Sequence, residues 1–389
     1  MPNQPSSFHP SMPLRPSPLP AEPFRALSAN ERMVLGLIRR HAPISRAELA
    51  RRCGLTIPSI SRIAEALLND GLIAAEEKVM MGRMGQPSLP LVLAPDAAFA
   101  IGVAVRPDSL VVTLSHLSGA VRAQLRESLA DPAREAVERR IVDLATGLLD
   151  AHGAAPRLCG MGIALSGFFL EGQEQINAPL GMEDWAIDRL ESLMRTRMGV
   201  PVVIENDGNA AAIGEHDQRG AEAPSSMACL YVDRGLGGGM VVDGRLMRGA
   251  HGNAGEFTGM LPPETRPLRP TLELLRRMLE EDGLIVPTIA AMLDQFDESW
   301  PTLDRWLDTV TPVTNAVFSA AAALLDPQEV VIGGRIPPAL ARRLADRVAC
   351  YTVPVRTKDR PFPRITASLS RDDTAAFGAG MMCFQRYLL

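Results

Sequence analysis

Three short clusters carry the residue types from which a polar binding site could be built. Glu205-Asn206-Asp207-Gly208-Asn209 offers carboxylates and amides within five positions, Gly235-Leu236-Gly237-Gly238-Gly239 offers bare backbone, and Gly252-Asn253-Ala254-Gly255-Glu256 ends on a further carboxylate. Val202-Val203-Ile204 is a β-branched run that reads as a buried strand, so Asn206 and Asp207 emerge at its C-terminal edge, where open α/β sheets place their ligands. The glycine segment lies between the apolar runs Cys229–Val232 and Met240–Val242 and reads as a turn whose amides could face an anion. If these pieces meet, two acidic groups and an amide converge on one cleft, a constellation suited to the hydroxyls of a polar small molecule.

The elements that must position this cleft can be read from periodicity. From Phe99 the chain alternates as strands over Ala100–Val105, Leu110–Leu114 and Val121–Ser128, then follows a helical stretch from Ala133 to Ala151 and a buried strand Gly160–Leu165. Trp185–Met198 is amphipathic, Val310–Leu325 is a core helix, Val330-Val331-Ile332-Gly333-Gly334 is another strand, and Asp373–Tyr387 is a closing helix. Two α/β lobes with a cleft between them result.

The N-terminal quarter follows a different plan. Residues 1–24 hold eight prolines and read as a disordered arm. Ser28-Ala29-Asn30-Glu31 and Ser45-Arg46-Ala47-Glu48 are capping boxes that open two helices, and Gly54 stops the second. Thr56 caps a third, with Pro58 in its first turn and Ile60, Ile63, Ala64, Leu67 and Leu68 on its buried face. This is the helix-turn-helix plan, in which the third helix enters the major groove and Ser59, Ser61, Arg62 and Glu65 face outward. Lys78–Ser88, with Leu89–Leu93 after it, reads as a β-hairpin wing, and Arg83 and Gln86 sit at its Gly82-Arg83-Met84-Gly85-Gln86-Pro87 tip. The expected duplex-DNA contacts are Thr56, Ser59, Ser61, Arg62, Arg83 and Gln86. A three-helix module of this kind also serves as a protein-binding scaffold.

Taken together, Glu205-Asn206-Asp207-Gly208-Asn209-Ala210-Ala211, the glycine segment, the Gly252–Glu256 box and the wing tip resemble the ROK family of sugar kinases and sugar-responsive transcriptional repressors. The resemblance implies a winged helix-turn-helix at residues 25–95 followed, over 96–389, by a two-lobed actin-like ATPase domain of the ribonuclease H-like class. It implies a homodimer or dimer of dimers on operator DNA, with a sugar or sugar derivative held by Asn206, Asp207 and Glu256. In the family's kinases the position of Asp207 is the general base, but the Asp-x-Gly-Gly-Thr phosphate loop has no match at Val105-Arg106-Pro107-Asp108-Ser109. Asp233-Arg234 replaces the Gly-Thr of a second phosphate loop, and a carboxylate there is expected to repel a triphosphate. No catalytic residue is therefore assigned. Gly259 stands where the family places a histidine, and Leu261-Pro262-Pro263-Glu264 where it places zinc cysteines, so neither zinc nor another cofactor is expected. His251 reads as a surface residue, and Ser166-Gly167 stands where a Pro-Gly turn is usual.

Composition is consistent with these expectations. At 389 residues the chain needs two or three domains, and 46% hydrophobic with 22% charged residues is ordinary for a soluble protein. Residues 25–95 hold ten Lys and Arg against six Asp and Glu, whereas the whole chain carries a net charge of −5. A basic module is joined to an acidic body. The five cysteines form no CxxC pair, and neither a membrane span nor a signal peptide is legible, which points to a cytoplasmic protein. Three further readings stay open: a sugar kinase with a fused DNA-binding head, a ligand-independent DNA-binding protein, and an interaction scaffold.

Overall fold

The computed structural model describes residues 24–76, 89–129, 133–170, 175–186, 190–352 and 361–389. The head consists of α1 (Ala29–His41), α2 (Arg46–Cys53) and α3 (Ile57–Asn69), with β1 (Ile73–Ala75) antiparallel to β2 (Leu91–Leu93). Ser28 and Glu31 form the full reciprocal capping box on α1. The box on α2 is only half made. Ser45 accepts from the Glu48 amide, but the Glu48 carboxylate turns to Arg51 and Arg52, because two guanidiniums one turn along outbid a single backbone N–H. Gly54 takes a left-handed φ of 66°, which lets the chain reverse into Thr56, the N-cap of α3. The core of the head is Val34, Leu35, Ile38, Leu49, Ile60, Ile63, Ala64 and Leu67, while Leu68, expected on the buried face of α3, is half-buried.

The body begins with β3 (Phe99–Arg106), β4 (Ser109–His116), β5 (Val121–Ser128), α4 (Arg134–His152), β6 (Leu158–Leu165) and the short hairpin of β7 (Phe168–Phe169) and β8 (Ile176–Asn177). It continues through α5 (Leu190–Met198), β9 (Val202–Asn206) and α6 (Asp207–Gln218). The first sheet has the order β5-β4-β3-β6-β9, with the first three antiparallel and the last three parallel. The second lobe comprises β10 (Ser226–Val232), β11 (Leu236–Val242), β12 (Arg245–Leu246), α7 (Leu272–Glu281), α8 (Ile289–Asp294) and α9 (Thr302–Leu325). It closes with β13 (Glu329–Gly334), α10 (Pro338–Arg347), β14 (Arg364–Ala367) and α11 (Thr374–Tyr387). Its sheet, β12-β11-β10-β13-β14, repeats the plan of the first.

Two expectations are corrected. The described helix before β9 spans Leu190–Met198, and Trp185, expected at its start, belongs to a separate 3-10 turn. Trp185 is buried in the first lobe, and the Ala186 carbonyl accepts from Gln175 Nε2, so the chain there is committed to the β7–β8 hairpin instead of a helical ladder. The glycine segment is not a turn. Asp233, Arg234 and Gly235 make the turn, while Gly237, Gly238 and Gly239 lie inside β11 opposite Tyr231, Leu230 and Cys229.

Those glycines are needed for closeness. α6 and α11 lie between the two sheets and touch each other, and their surroundings, backbone to backbone. A Cβ on Gly378 would sit 1.8 Å from the Ala210 carbonyl oxygen, and one on Gly162 would sit 1.9 Å from that of Ala379. Gly378→Ala is therefore expected to lose at least about 1–3 kcal/mol by overpacking, whereas Gly147→Ala, on an open face of α4, gains up to about 1 kcal/mol of helix propensity. Urea unfolding of both variants checks this, and equal effects would contradict the close-contact account.

Candidate functional site

The three clusters do meet. A Cβ on Gly208 would lie 2.5 Å from the Gly238 amide nitrogen, and one on Gly255 would lie 2.7 Å from the Gly238 carbonyl oxygen. Gly255 also holds φ at 100°, which L side chains rarely adopt. Glycine at all three positions thus brings the start of α6, the middle of β11 and the loop after β12 into direct contact.

Asp207 is the first residue of α6. Its Oδ2 accepts from the Ser166 hydroxyl at 2.5 Å and its Oδ1 from the Gly208 amide at 2.9 Å. Burial dominates these bonds and, with help from the nearby Asp233 charge, pushes its pKa up to about 7. Glu256 is half-buried, and burial raises its pKa as well; among the described residues its carboxylate has no hydrogen-bond partner. Neither group has an ion-pair partner among the described residues and Glu256 has no donor at all, so both can accept from a ligand rich in hydroxyls.

Asn206 contributes less free capacity than its position promised. Its Oδ1 caps α6 by accepting from the Asn209 amide, and its Nδ2 donates to the Gly167 carbonyl at 2.6 Å, so one N–H remains for a ligand. Around these residues the lobes are tied by contacts that the sequence did not signal. Glu205 accepts from Arg248 at 2.9 Å and from the side-chain Nδ2 of Asn209 at 3.0 Å, and Asn253 exchanges two hydrogen bonds with the backbone of Phe169. Ser166, which the sequence marks only as an altered turn, bonds Asp207. His251 and Gly259 are exposed.

The corner after β3 is filled by charge. Arg106, 2% exposed, donates from Nε to Asp233 at 3.0 Å and from Nη2 to Tyr231 at 2.8 Å and Asp373 at 2.9 Å. Arg335 forks onto both oxygens of Asp108 at 2.8 and 3.0 Å and also reaches Asp233 at 3.2 Å. The carboxylates of Asp108 and Asp373 are held below their ordinary range by these guanidiniums, against the opposing effect of burial. This corrects the expectation for Asp233. It is not a bare carboxylate: two guanidiniums pair with it, and the corner they occupy is filled by the protein's own ion pairs. An arginine ending an otherwise apolar strand was the available sequence signal.

In the head, the Thr56 and Ser59 hydroxyls bond each other at 2.9 Å at the start of α3. Ser61 is half-buried on the same helix, and Arg62 is exposed and makes no hydrogen bond or ion pair among the described residues. Ile57, at the N-terminus of α3, is 56% exposed. Arg83 and Gln86, expected at a wing tip, lie outside the described residues.

The raised pKa of Asp207 has a consequence for stability. Because the folded value of about 7 exceeds the ordinary 3.8, the folded state binds the proton more tightly than the unfolded chain. The burial penalty is absent below the ordinary value, grows as pH rises between the two, and is complete above the folded value. Asp207→Asn should accordingly gain thermal stability over the parent as pH moves from about 5 to about 8, by up to about 1.4 kcal/mol for each pH unit below the folded value. A stability difference that stays flat or narrows in calorimetry over that range would contradict the burial account.

Comparison with known proteins follows this geometry. Residues 101–267 match the model of the ROK family, and residues 27–74 match a winged helix-turn-helix DNA-binding model. The Sinorhizobium fredii protein y4fQ is 30% identical over 367 residues, covering 92% of each chain. The Bacillus subtilis xylose repressor is 26% identical over 59% of this chain and 60% of its own length, so that match spans well under two thirds of the repressor. Among solved structures, a ROK family transcriptional regulator homologous to the E. coli MLC protein superposes with a TM-score of 0.66 at 19% identity, over 92% of this chain and 96% of that one. A ROK family glucokinase from Streptomyces griseus, in complex with glucose and AMPPNP, superposes at 0.57 with 20% identity, covering 74% of this chain and all of that one. With both family models matched in the order that the fold displays, and a full-length relative at that identity, the chain belongs to the ROK family and carries a winged helix-turn-helix DNA-binding head.

Proposed function

We propose that this chain is a sequence-specific transcriptional repressor whose grip on operator DNA is set by a sugar or sugar derivative bound between the lobes, and that it does not phosphorylate that sugar. The observation that carries the reading is a combination: a DNA-binding head on a body whose cleft keeps two carboxylates without an ion-pair partner among the described residues, Asp207 and Glu256, while buried arginines fill the corner after β3. Phosphoryl transfer depends on positioning and neutralising the transferred group, and guanidiniums already spent on Asp233, Asp373 and Asp108 are poor candidates for that work. The names of the repressors it resembles add support for regulation, and xylose and glucose become the first effectors to test.

The domain plan goes with this reading: a head at residues 25–95, preceded by the proline-rich arm, and a body at 96–389 that pairs two copies into a homodimer. Two heads related by a two-fold axis call for a roughly palindromic operator. Thr56, Ser59, Ser61, Arg62, Arg83 and Gln86 are the proposed DNA contacts, with Thr56 and Ser59 suited to phosphate positioning and Arg62 to a base edge.

A second reading, a sugar kinase with a fused head, has one observation in its favour: the Asp207 pKa of about 7 is well matched to a general base at neutral pH. A coupled ADP-release assay with ATP and a panel of hexoses and pentoses separates the two, with no turnover above background expected. Arg62→Ala should relax base preference in a library of duplexes by about 1–3 kcal/mol at one position, whereas uniform weakening across the library would make it a phosphate contact only. Asp207→Asn should weaken the sugar response and leave sugar-free operator affinity alone; an intact response would remove Asp207 from the site.

A further inference from the structure

The cleft and the head are joined by α6, which starts at one and ends at the other, and by α11, which is packed against it and also ends at the head. α6 starts at Asp207, in the candidate sugar site, and runs for 12 residues, or about 18 Å. α11 starts against the second half of α6, with Thr374 at Gly214, and its N-cap, Asp373, is held by Arg106 in the buried ion network. Both helices finish against α1 of the head. At the last turn of α6, Asp217 pairs with Arg39 of α1, and the two side chains are 8% and 9% exposed. Arg39 also donates to the Leu117 carbonyl and lies 3.7 Å from the Met381 sulfur of α11. At the end of α11, the Arg386 carbonyl accepts from Arg32 of α1 at 3.1 Å.

The pair is built to move as one body. The Gly378 and Ala210 backbones meet with no room for a Cβ between them, as do those of Gly214 and Thr374, so neither helix can slide past the other without losing this contact. The head has a second attachment at a different place. Arg157, just before β6, donates to the carbonyls of Asp70 and Gly71 at the end of α3, each at 3.1 Å, and to Ala97 at 3.0 Å. One attachment therefore fixes the end of the recognition helix to the first lobe, and the other ties α1 to α6 and α11.

We propose that α6 and α11 form a two-helix relay, in which sugar bound at Asp207 shifts the helices and the buried Arg39–Asp217 pair passes the shift to α1, turning the head about its Arg157 anchor. The inference rests on the sugar-responsive reading of the cleft. The relay is effective because Arg39 and Asp217 are both removed from water: a buried pair keeps its geometry or breaks, whereas an exposed pair would follow the displacement loosely. Neither residue lies on the expected DNA face or in the sugar site, so the pair couples the two without belonging to either. A ligand shifts such an equilibrium only as far as it distinguishes the two arrangements, and Asp207 at the helix start is where it would do so.

The test uses the full-length chain, an operator fragment selected from genomic DNA with that chain, and glucose and xylose as probes. It reads sugar-free operator Kd, sugar Kd by calorimetry, and the factor by which sugar changes operator Kd. In the parent that factor is expected between about 5- and 150-fold. Asp217→Asn should leave both Kd values within about threefold of the parent while the factor falls below about twofold, and the exchanged pair Arg39→Asp with Asp217→Arg should recover part of it. A variant that keeps the full factor overturns the relay. If Asp217→Asn does not fold, hydrogen exchange of the parent decides: sugar must alter exchange in the last turns of α6 and α11 and in α1, and an effect confined to the cleft overturns the proposal. A parent that binds sugar or ignores it with no change in operator affinity is a different result, which removes the sugar-response reading and the relay with it.

Discussion

The contact on which the rest of the molecule depends is the backbone-to-backbone packing of α6 and α11 between the two sheets. It is possible only because Gly102, Gly162, Gly214 and Gly378 present no side chain at the crossing points, where a single Cβ would fall within 1.8 to 2.3 Å of a carbonyl oxygen. Interiors packed at crystal-like density do not yield by such amounts. The two helices consequently fix how far apart the lobes stand, and with that the size of the cleft. The same close approach recurs at Gly208, Gly238 and Gly255, where it brings the ends of three elements to one point.

Once the lobes are held this near, the charges at their facing corners have no water to turn to. Arg106 and Arg335 meet Asp108, Asp233, Tyr231 and Asp373 in one buried network that spans both lobes. Removing one member would strand its partners unpaired at low dielectric, which is costlier than the pair is stabilising. Asp207 lies close enough to feel this network, but its own surroundings offer only Ser166 and one backbone amide, so burial dominates and its proton is held to near neutral pH. Glu256 is in a similar position without any partner among the described residues. The molecule thus has one set of charges paired with one another at one corner of the cleft and, elsewhere in it, two carboxylates, Asp207 and Glu256, that have no ion-pair partner among the described residues.

The head is part of the same arrangement. Its core is continuous with that of the central helices, and its polar attachments are made by arginines from both sides: Arg32 and Arg39 of the head toward α11 and α6, and Arg157 of the body toward the end of α3. Such contacts favour defined orientations of the DNA-reading face and disfavour free tumbling on a linker.

Local pattern was enough to place most elements. Capping by Ser28 and Thr56, the stop at Gly54, the apolar stripe of α3, the strands from Phe99 to Ser128 and the helix ending at Tyr387 all follow from rules that act within a few residues, and the short boxes around Asp207 and Glu256 follow from residue type and spacing. What local pattern could not decide was everything that depends on a neighbour distant in the chain. The glycines of β11 look like a turn until α6 is laid against them, and Trp185 looks helical until the β7–β8 hairpin takes the carbonyl beside it. Asp233 reads as a bare carboxylate until Arg106, 127 positions earlier, and Arg335, 102 positions later, are folded onto it. The sequence by itself determined the elements, the family and the chemistry available; only tertiary structure decided which charges are spent on one another and which remain for a ligand, because the energy of a buried charge is set by the groups within a few ångströms in space and not by those adjacent along the chain.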